Sequence, residues 1–448
     1  MRFKTTIILA GVLLLLSAYL YFIEVPGKRK AEGESKVFNL DWEKVSELRL
    51  RLGDEITVCT KNNEGEWEIT EPMKAEANQP LVENVVSSLK NLEINRVVES
   101  PPKDLSLYGL VHPNVEATVK SAGEPQGVTL QFGWKGQVGD SLYAKLKDDN
   151  RVLLVSYELG KKIGKKASQL RDRRVVIFDR SNLKRIEFSY PDRKIILARQ
   201  EEGWQILEPI KARASEFEVG QLILAITAMK IEKFIDDPTD LGQYGLTHPR
   251  VKVTLGLEGK EAGPITLLGK NTKDNKLTYA KRESKHPVYL IQSYFIEDFT
   301  KEANQLRDKK FFSFDRAEVS KIEIRHGKNI LTLTKDPQGD WQILEAGEAK
   351  AIKSEVDELL SALEELEVTK FVDDNPRDLR PYGLDQPILQ ESLWLGANKM
   401  ETLLVGKEEK SKKEHFIKKD SEAPVYLAKK GMLAQLIRNL DELKEPEE

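Results

Sequence analysis

The sequence predicts an α+β protein: an N-terminal transmembrane helix followed by three tandem copies of a strand-rich unit, each with one main amphipathic helix. Three observations predict it. Residues 5–23 form one apolar run without a charge. Trp67, Trp204 and Trp341 recur at a constant spacing of 137 residues, each inside a W-x-I triplet. An apolar stripe of helical period recurs at the same offset: Val82, Val85, Val86, Leu89 and Leu92, then Val219, Leu222, Ile223, Ile226 and Met229, then Val356, Leu359, Leu360, Leu363 and Leu366. Five positions kept twice over at one offset define a tandem repeat.

The first element is the anchor. Nineteen residues from Thr5 to Ile23 give a helix of about 28 Å, enough to cross a hydrocarbon core of about 30 Å. Tyr19, Tyr21 and Phe22 sit where an interfacial aromatic belt would lie. A cleaved signal peptide is the competing reading, but Glu24-Val25-Pro26-Gly27-Lys28-Arg29-Lys30 offers no A-x-A-like site. Arg2 and Lys4 before the run, against Lys28, Arg29, Lys30 and Lys36 after it, leave orientation undecided by charge. A long globular segment after one N-terminal span implies an extracytoplasmic bulk on a single-pass inner-membrane protein.

Residues 1–35 thus read as stub, anchor and basic linker, followed by repeat units at 36–174, 175–310 and 311–448, the last degenerate. The length of 448 residues agrees with about three domains at roughly 100–200 residues each. Within a unit, Val45 to Leu50, Ile56 to Val58 and the W-x-I segment alternate with period two, predicting three half-buried strands. The stripe then predicts the helix. Asn78 with Pro80 marks its start in the first copy, and Ser215 with Glu218 forms a capping box in the second. Short strands follow at Val97-Val98, Val115 to Val119, Val128 to Phe132, Tyr143 to Leu146 and Val152 to Val155. Tyr143-Ala144-Lys145, Tyr279-Ala280-Lys281 and Phe416-Ile417-Lys418 repeat near the end of the unit. A second helical stretch ends in Gln169-Leu170-Arg171-Asp172 and Gln305-Leu306-Arg307-Asp308.

The most specific motif is D-L-x-x-Y-G-L-x-x-P. Its key residues are Asp104, Tyr108 and Gly109, then Asp240, Tyr244 and Gly245, then Asp378, Tyr382 and Gly383. The reading is structural: Asp caps a helical turn, Gly ends it in the left-handed region, and Pro stops the helix resuming. Use of the tyrosines as a ligand shelf is the competing reading.

The anchor, the W-x-I strands before a helix, and the D-L-x-x-Y-G-L-x-x-P turns together resemble the bacterial domain of unknown function 4340 family over nearly all of the chain after the anchor. The resemblance implies a membrane-anchored, extracytoplasmic protein often encoded beside ABC-type transport components. It implies no catalytic residue. The third copy departs from the pattern, with Ala346 for Pro209 and Gln386 for His112 and His248.

Other chemistry finds little material. A net charge of −3 is too balanced to predict nucleic-acid binding. A single cysteine, Cys59, excludes an internal disulfide and every multi-cysteine motif, and reads as a small core residue. Gly269-Lys270 lacks the spacing and the Ser or Thr of a phosphate loop. With Gly133 and Gly406 at matching places, it predicts a strand-ending turn. Asp236-Asp237 and Asp373-Asp374 read as solvated strand ends, and His112 and His248 as capping or packing residues of the turn, so no cofactor or metal is expected. Trp134, in Phe132-Gly133-Trp134-Lys135-Gly136, has no counterpart in the other copies and is the candidate partner contact. The expected function is a non-enzymatic accessory or scaffold of a cell-envelope or ABC-type transport system. Its partners would be the membrane, through the one helix, and envelope or transporter proteins. The alternative is an envelope-facing module binding polysaccharide or peptide.

Overall fold

The computed structural model describes residues 36–445, apart from residues 138, 261–262, 348, 397–398 and 410. The run 5–23 lies outside the described residues. Among those described, no helix is long and apolar enough to cross a membrane.

In the first repeat four strands precede the helix: β1 (Val45–Leu52), β2 (Glu55–Lys61), β3 (Trp67–Glu71) and β4 (Ala75–Glu76). Helix α1 (Gln79–Lys90) follows. Then come β5 (Arg96–Glu99), β6 (Val115–Ser121), β7 (Glu124–Lys135), β8 (Ser141–Leu146) and β9 (Val152–Ser156). One strand more than expected precedes the helix, because two residues are too few to carry a period-two signal. The strands form one antiparallel sheet in the order β4-β3-β2-β1-β6-β7-β8-β9-β5. The strands flanking α1 in the chain are therefore the two edges of the sheet, and α1 has to cross one face to connect them.

Repeats two and three have the same strand order over residues 183–292 and 319–429, with helices α2 (Glu216–Ala228) and α3 (Lys353–Glu364). The chain divides between Arg173 and Arg174 into two compact units, the first holding repeat one and the second holding repeats two and three. Each repeat has its own apolar core between helix and sheet. Every residue of the stripe is buried except Ile223, which is half-buried against the core.

Local chemistry starts each helix. The Asn78 side chain accepts from the Leu81 amide at 3.1 Å, with Pro80 in the first turn. Ser215 accepts from the Glu218 amide at 3.3 Å. The expected capping box is only half formed, since Glu218 instead receives the Lys301 ammonium at 2.7 Å. The first helical residue also reaches back to the tryptophan strand. The Trp67 amide donates to Gln79 Oε1 at 2.7 Å, and the Trp204 amide to Glu216 Oε1 at 2.9 Å.

The second helical stretch breaks into short pieces, Tyr157–Ile163 and Ala167–Leu170 in repeat one. Beyond them the chain pairs with the entry to the main helix. Asn78 donates to the Leu170 carbonyl, Ser215 to Leu306 and Ile352 to Leu443, at 2.7, 2.8 and 2.7 Å. Those bonds tie the end of each repeat to its middle.

The first strand of each repeat breaks alternation in a repeated way. Val45, Leu48 and Leu50 are all buried, as are Leu183, Ile186 and Phe188, and Val319, Ile322 and Ile324. A register shift after each first residue resolves the conflict: one extra residue returns the strand's apolar set to the core face.

One core position breaks the repeat. Facing Leu50, Phe188 and Ile324 in the sheet are Ala117, Val253 and Glu391. Glu391 is fully buried, and neither carboxylate oxygen has a hydrogen-bond partner. Burial pushes its carboxyl well above the usual carboxylate range, against a partial pull from the Arg438 guanidinium. The folded protein therefore holds a proton that the unfolded chain releases near pH ~4.3. The stability of the neutral carboxyl is complete below that unfolded value and is lost as pH rises toward the folded one. Glu391→Gln removes the ionisation. Its unfolding free energy should exceed the parent's by an amount that grows by about 1.4 kcal/mol per pH unit between the unfolded and the folded values. Urea melts from pH 4 to pH 8 check this, and a pH-independent difference would overturn it.

Candidate functional site

The three Y-G-L turns share one geometry. Asp104, Asp240 and Asp378 each accept from the backbone amide two residues on, at 2.8, 2.7 and 3.0 Å. The Ser106 hydroxyl and then the backbone bond hold the exposed Asp104 carboxyl below the usual range; for Asp378 it is the Arg380 side chain and then the backbone bond. Gly109, Gly245 and Gly383 have φ of 70°, 69° and 66°, where an L side chain is strained. The following leucine of each turn is buried.

Each tyrosine lies against the ring of the repeated Y-A-K or F-I-K strand. Centroid distances are 4.9 Å for Tyr108 and Tyr143, 4.9 Å for Tyr244 and Tyr279, and 5.2 Å for Tyr382 and Phe416. The Tyr108 hydroxyl donates to Glu99 at 3.1 Å and the Tyr382 hydroxyl to Asp373 at 3.0 Å. Burial, then the bond to Asp373, pushes the Tyr382 phenol up. In repeat three the turn covers a small second cluster of Leu384, Leu404 and Val425.

Beneath each turn runs the strand with the glycine first read as a strand-ending turn. That expectation is corrected. Gly133 and Gly269 lie inside β7 and the strand Ile265–Asn271, and Gly406 inside Lys399–Glu409, each at a break in register. A Cβ on Gly133 would fall 2.0 Å from the Tyr108 carbonyl oxygen. On Gly269 and Gly406 it would fall 2.2 Å from those of Tyr244 and Tyr382. The turn backbone rests on the strand backbone, and only glycine leaves room.

Trp134 follows that glycine, so it too lies within β7 rather than on a turn. Lys270 and Lys407 occupy the matching place. Its indole covers Gly109: a Cβ there would lie 2.4 Å from the Trp134 ring. The residue is 63% exposed.

The acidic pairs are not alike. Asp237 is solvated, 3.9 Å from His286. Asp373 and Asp374 are both engaged, contrary to the reading as a solvated strand end: Asp373 takes the tyrosine hydroxyl, and Asp374 takes Arg307 of the preceding repeat at 2.6 Å. The Arg307 guanidinium is 5% exposed and lies 3.8 Å from the Phe371 ring centroid. Sequence reasoning missed this joint. Its signal was the repeated Q-L-R-D, in which an arginine directly follows a core leucine.

The remaining candidates are one buried thiol and two exposed imidazoles. Burial pushes the Cys59 thiol up to about 12, which suppresses the nucleophilic thiolate. His112 and His248 are exposed rather than packed. Among the described residues, no three His, Cys, Asp or Glu side chains converge as a metal site would require.

A family model described as "Domain of unknown function (DUF4340)" matches residues 67–207, 204–345 and 341–447. The chain belongs to this family. The matched DUF4340 segments begin at Trp67, Trp204 and Trp341, so each runs from the third strand of one sheet into the first strands of the next where a next sheet exists. Comparison with curated proteins returns no match. Two solved structures from Pseudomonas aeruginosa align over 89% of this chain and 95% of theirs. A DNA polymerase sliding clamp with ligand has 8% identity and a TM-score of 0.14; a DNA polymerase III subunit beta has 9% and 0.12. At those scores neither bears on fold or function.

Gly269→Ala should lower the stability of the second unit by about 1–3 kcal/mol, as overpacking does. An unchanged urea midpoint would show that the turn does not bear on the strand. Arg307→Met keeps the stem and removes the guanidinium. Calorimetry of this variant should resolve the second unit's unfolding into two transitions, one per repeat, as coupling between its sheets weakens. A single transition at the parent temperature would contradict the assigned joint.

Proposed function

We propose that this DUF4340 protein is a non-enzymatic, membrane-anchored extracytoplasmic scaffold, an accessory of a cell-envelope or ABC-type transport system. The carrying observation is what the repeated motif residues do. In each turn Asp caps and Gly takes a positive φ, while Tyr packs on a strand ring. The most specific residues of the chain are thus committed to architecture. The Arg307 joint adds stiffness to the second unit, which suits a protein that holds partners at fixed spacing. The apolar run 5–23 supports the anchor, and the transport partners follow from the resemblance.

Trp134 is the surface group best suited to meet such a partner. Its indole lies over the turn glycine and is 63% exposed, so it offers a partner a large aromatic contact surface. Crosslinking and pull-down of the full chain from native membranes should capture envelope or transporter proteins. Trp134→Ala should weaken that capture by about tenfold or more, the range of an interface anchor, with the melting temperature unchanged. Capture of no membrane-transport or envelope component would overturn the scaffold reading. Equal capture by parent and variant would overturn Trp134 as the contact.

A further inference from the structure

Between repeats two and three, within the second unit, lies a cleft of about 170 Å³. It is far larger than the roughly 10–15 Å³ that one water needs, and smaller than the roughly 300–1,000 Å³ of drug-sized pockets. Five cationic side chains line it against two acidic ones, although the chain as a whole carries a net −3.

Most of those charges are already matched. Arg307 holds Asp374 at 2.6 Å, and Arg213 faces Asp308 at 3.7 Å. Lys419 sits 3.3 Å from both Glu401 and Glu422. Subtracting those pairs leaves Lys211 and Lys310 and, because Lys419 is shared by two glutamates, one surplus carboxylate, so five cations face four carboxylates and the net is one positive charge. Among the described residues, neither ammonium has an acidic partner. Phe311 and Tyr426, packed edge to face at 6.0 Å, supply part of an apolar wall. Lys211 and Lys310 are exposed side chains that line the cleft.

We infer that this cleft binds a compact phosphate-bearing anion, with Lys211 and Lys310 as its principal charge partners. Two ammonium groups without an acidic partner leave the cleft able to attract an anion, and lysine engages phosphate as a point charge without the paired geometry arginine imposes. The volume admits phosphate with a small substituent. The inference does not depend on the scaffold role, since it concerns other residues and a soluble probe.

Isothermal titration of the full chain in neutral detergent tests it with three probes: inorganic phosphate, glycerol 1-phosphate, and micelles doped with phosphatidic acid. Binding of either soluble probe identifies a free oxyanion or phosphomonoester as the ligand source. Binding of the doped micelles alone identifies a lipid headgroup. Lys211→Gln with Lys310→Gln should weaken binding by about tenfold or more without moving the melting temperature. Lys90→Gln with Lys161→Gln removes the same charge elsewhere and should leave binding intact. If the first pair proves unstable, the two single variants should each show part of the loss. No binding of any probe, equal weakening by both pairs, or binding untouched by Lys211 and Lys310 changes would overturn the inference.

Discussion

Everything in a repeat depends on one helix crossing one sheet. The strands on either side of the main helix form opposite edges of the nine-stranded sheet, so chain connectivity and core burial are the same requirement. A helix with only one apolar stripe can satisfy it. The stripe buries against the sheet, and the outer face stays exposed, in α2 with Phe217 and Leu224 on it. Because each edge is reached through the helix, its position also fixes where β4 and β5 pair. The bond from Leu170 to Asn78, and its equivalents, then returns the end of the chain to the start of that helix.

The opposite demand, close approach of two backbones, is met by the Y-G-L turns. Three features combine: a positive-φ glycine in the turn, a glycine in the strand below, and an aromatic ring beside them. Each fails without the others, since a side chain at either glycine would separate turn from strand. This gives the glycine of the Gly-Lys pair a structural role beneath the turn. The lysine occupies the place that Trp134 takes in repeat one, beside the turn glycine.

Charge does a different job at the joint of repeats two and three. Arg307 is nearly dry, and its charge is matched by Asp374 on one side and by the face of Phe371 on the other. A buried cation with good partners specifies one arrangement of two sheets rather than adding much net stability. The same joint brings cations together in a cleft that neither repeat could form alone.

Periodicity made the repeat, the helix stripe, the tryptophan strands and the turn glycines legible, because each depends on contacts local to the chain or repeated along it. The same local logic misplaced Gly133, Gly269 and Gly406, which lie within strands. A β-bulge under a distant turn leaves the same glycine as a strand end. The phase of the repeat was not local either. A tandem pattern can be cut anywhere, and the family segments cut it at tryptophan, whereas the pairing of β1 with β6 decides which strands share a sheet. Glu391 falls in phase with Leu389, Leu393 and Leu395, and only the strand pairing shows that it faces Ile324 and Leu403 in the core. Lys211 and Lys310 lie far apart in the chain, on elements whose spacing carries no signal for each other. The sequence by itself determined the unit and its number. Only tertiary structure decided which charges are buried, paired or left free, because those depend on neighbours that the chain's own period does not encode.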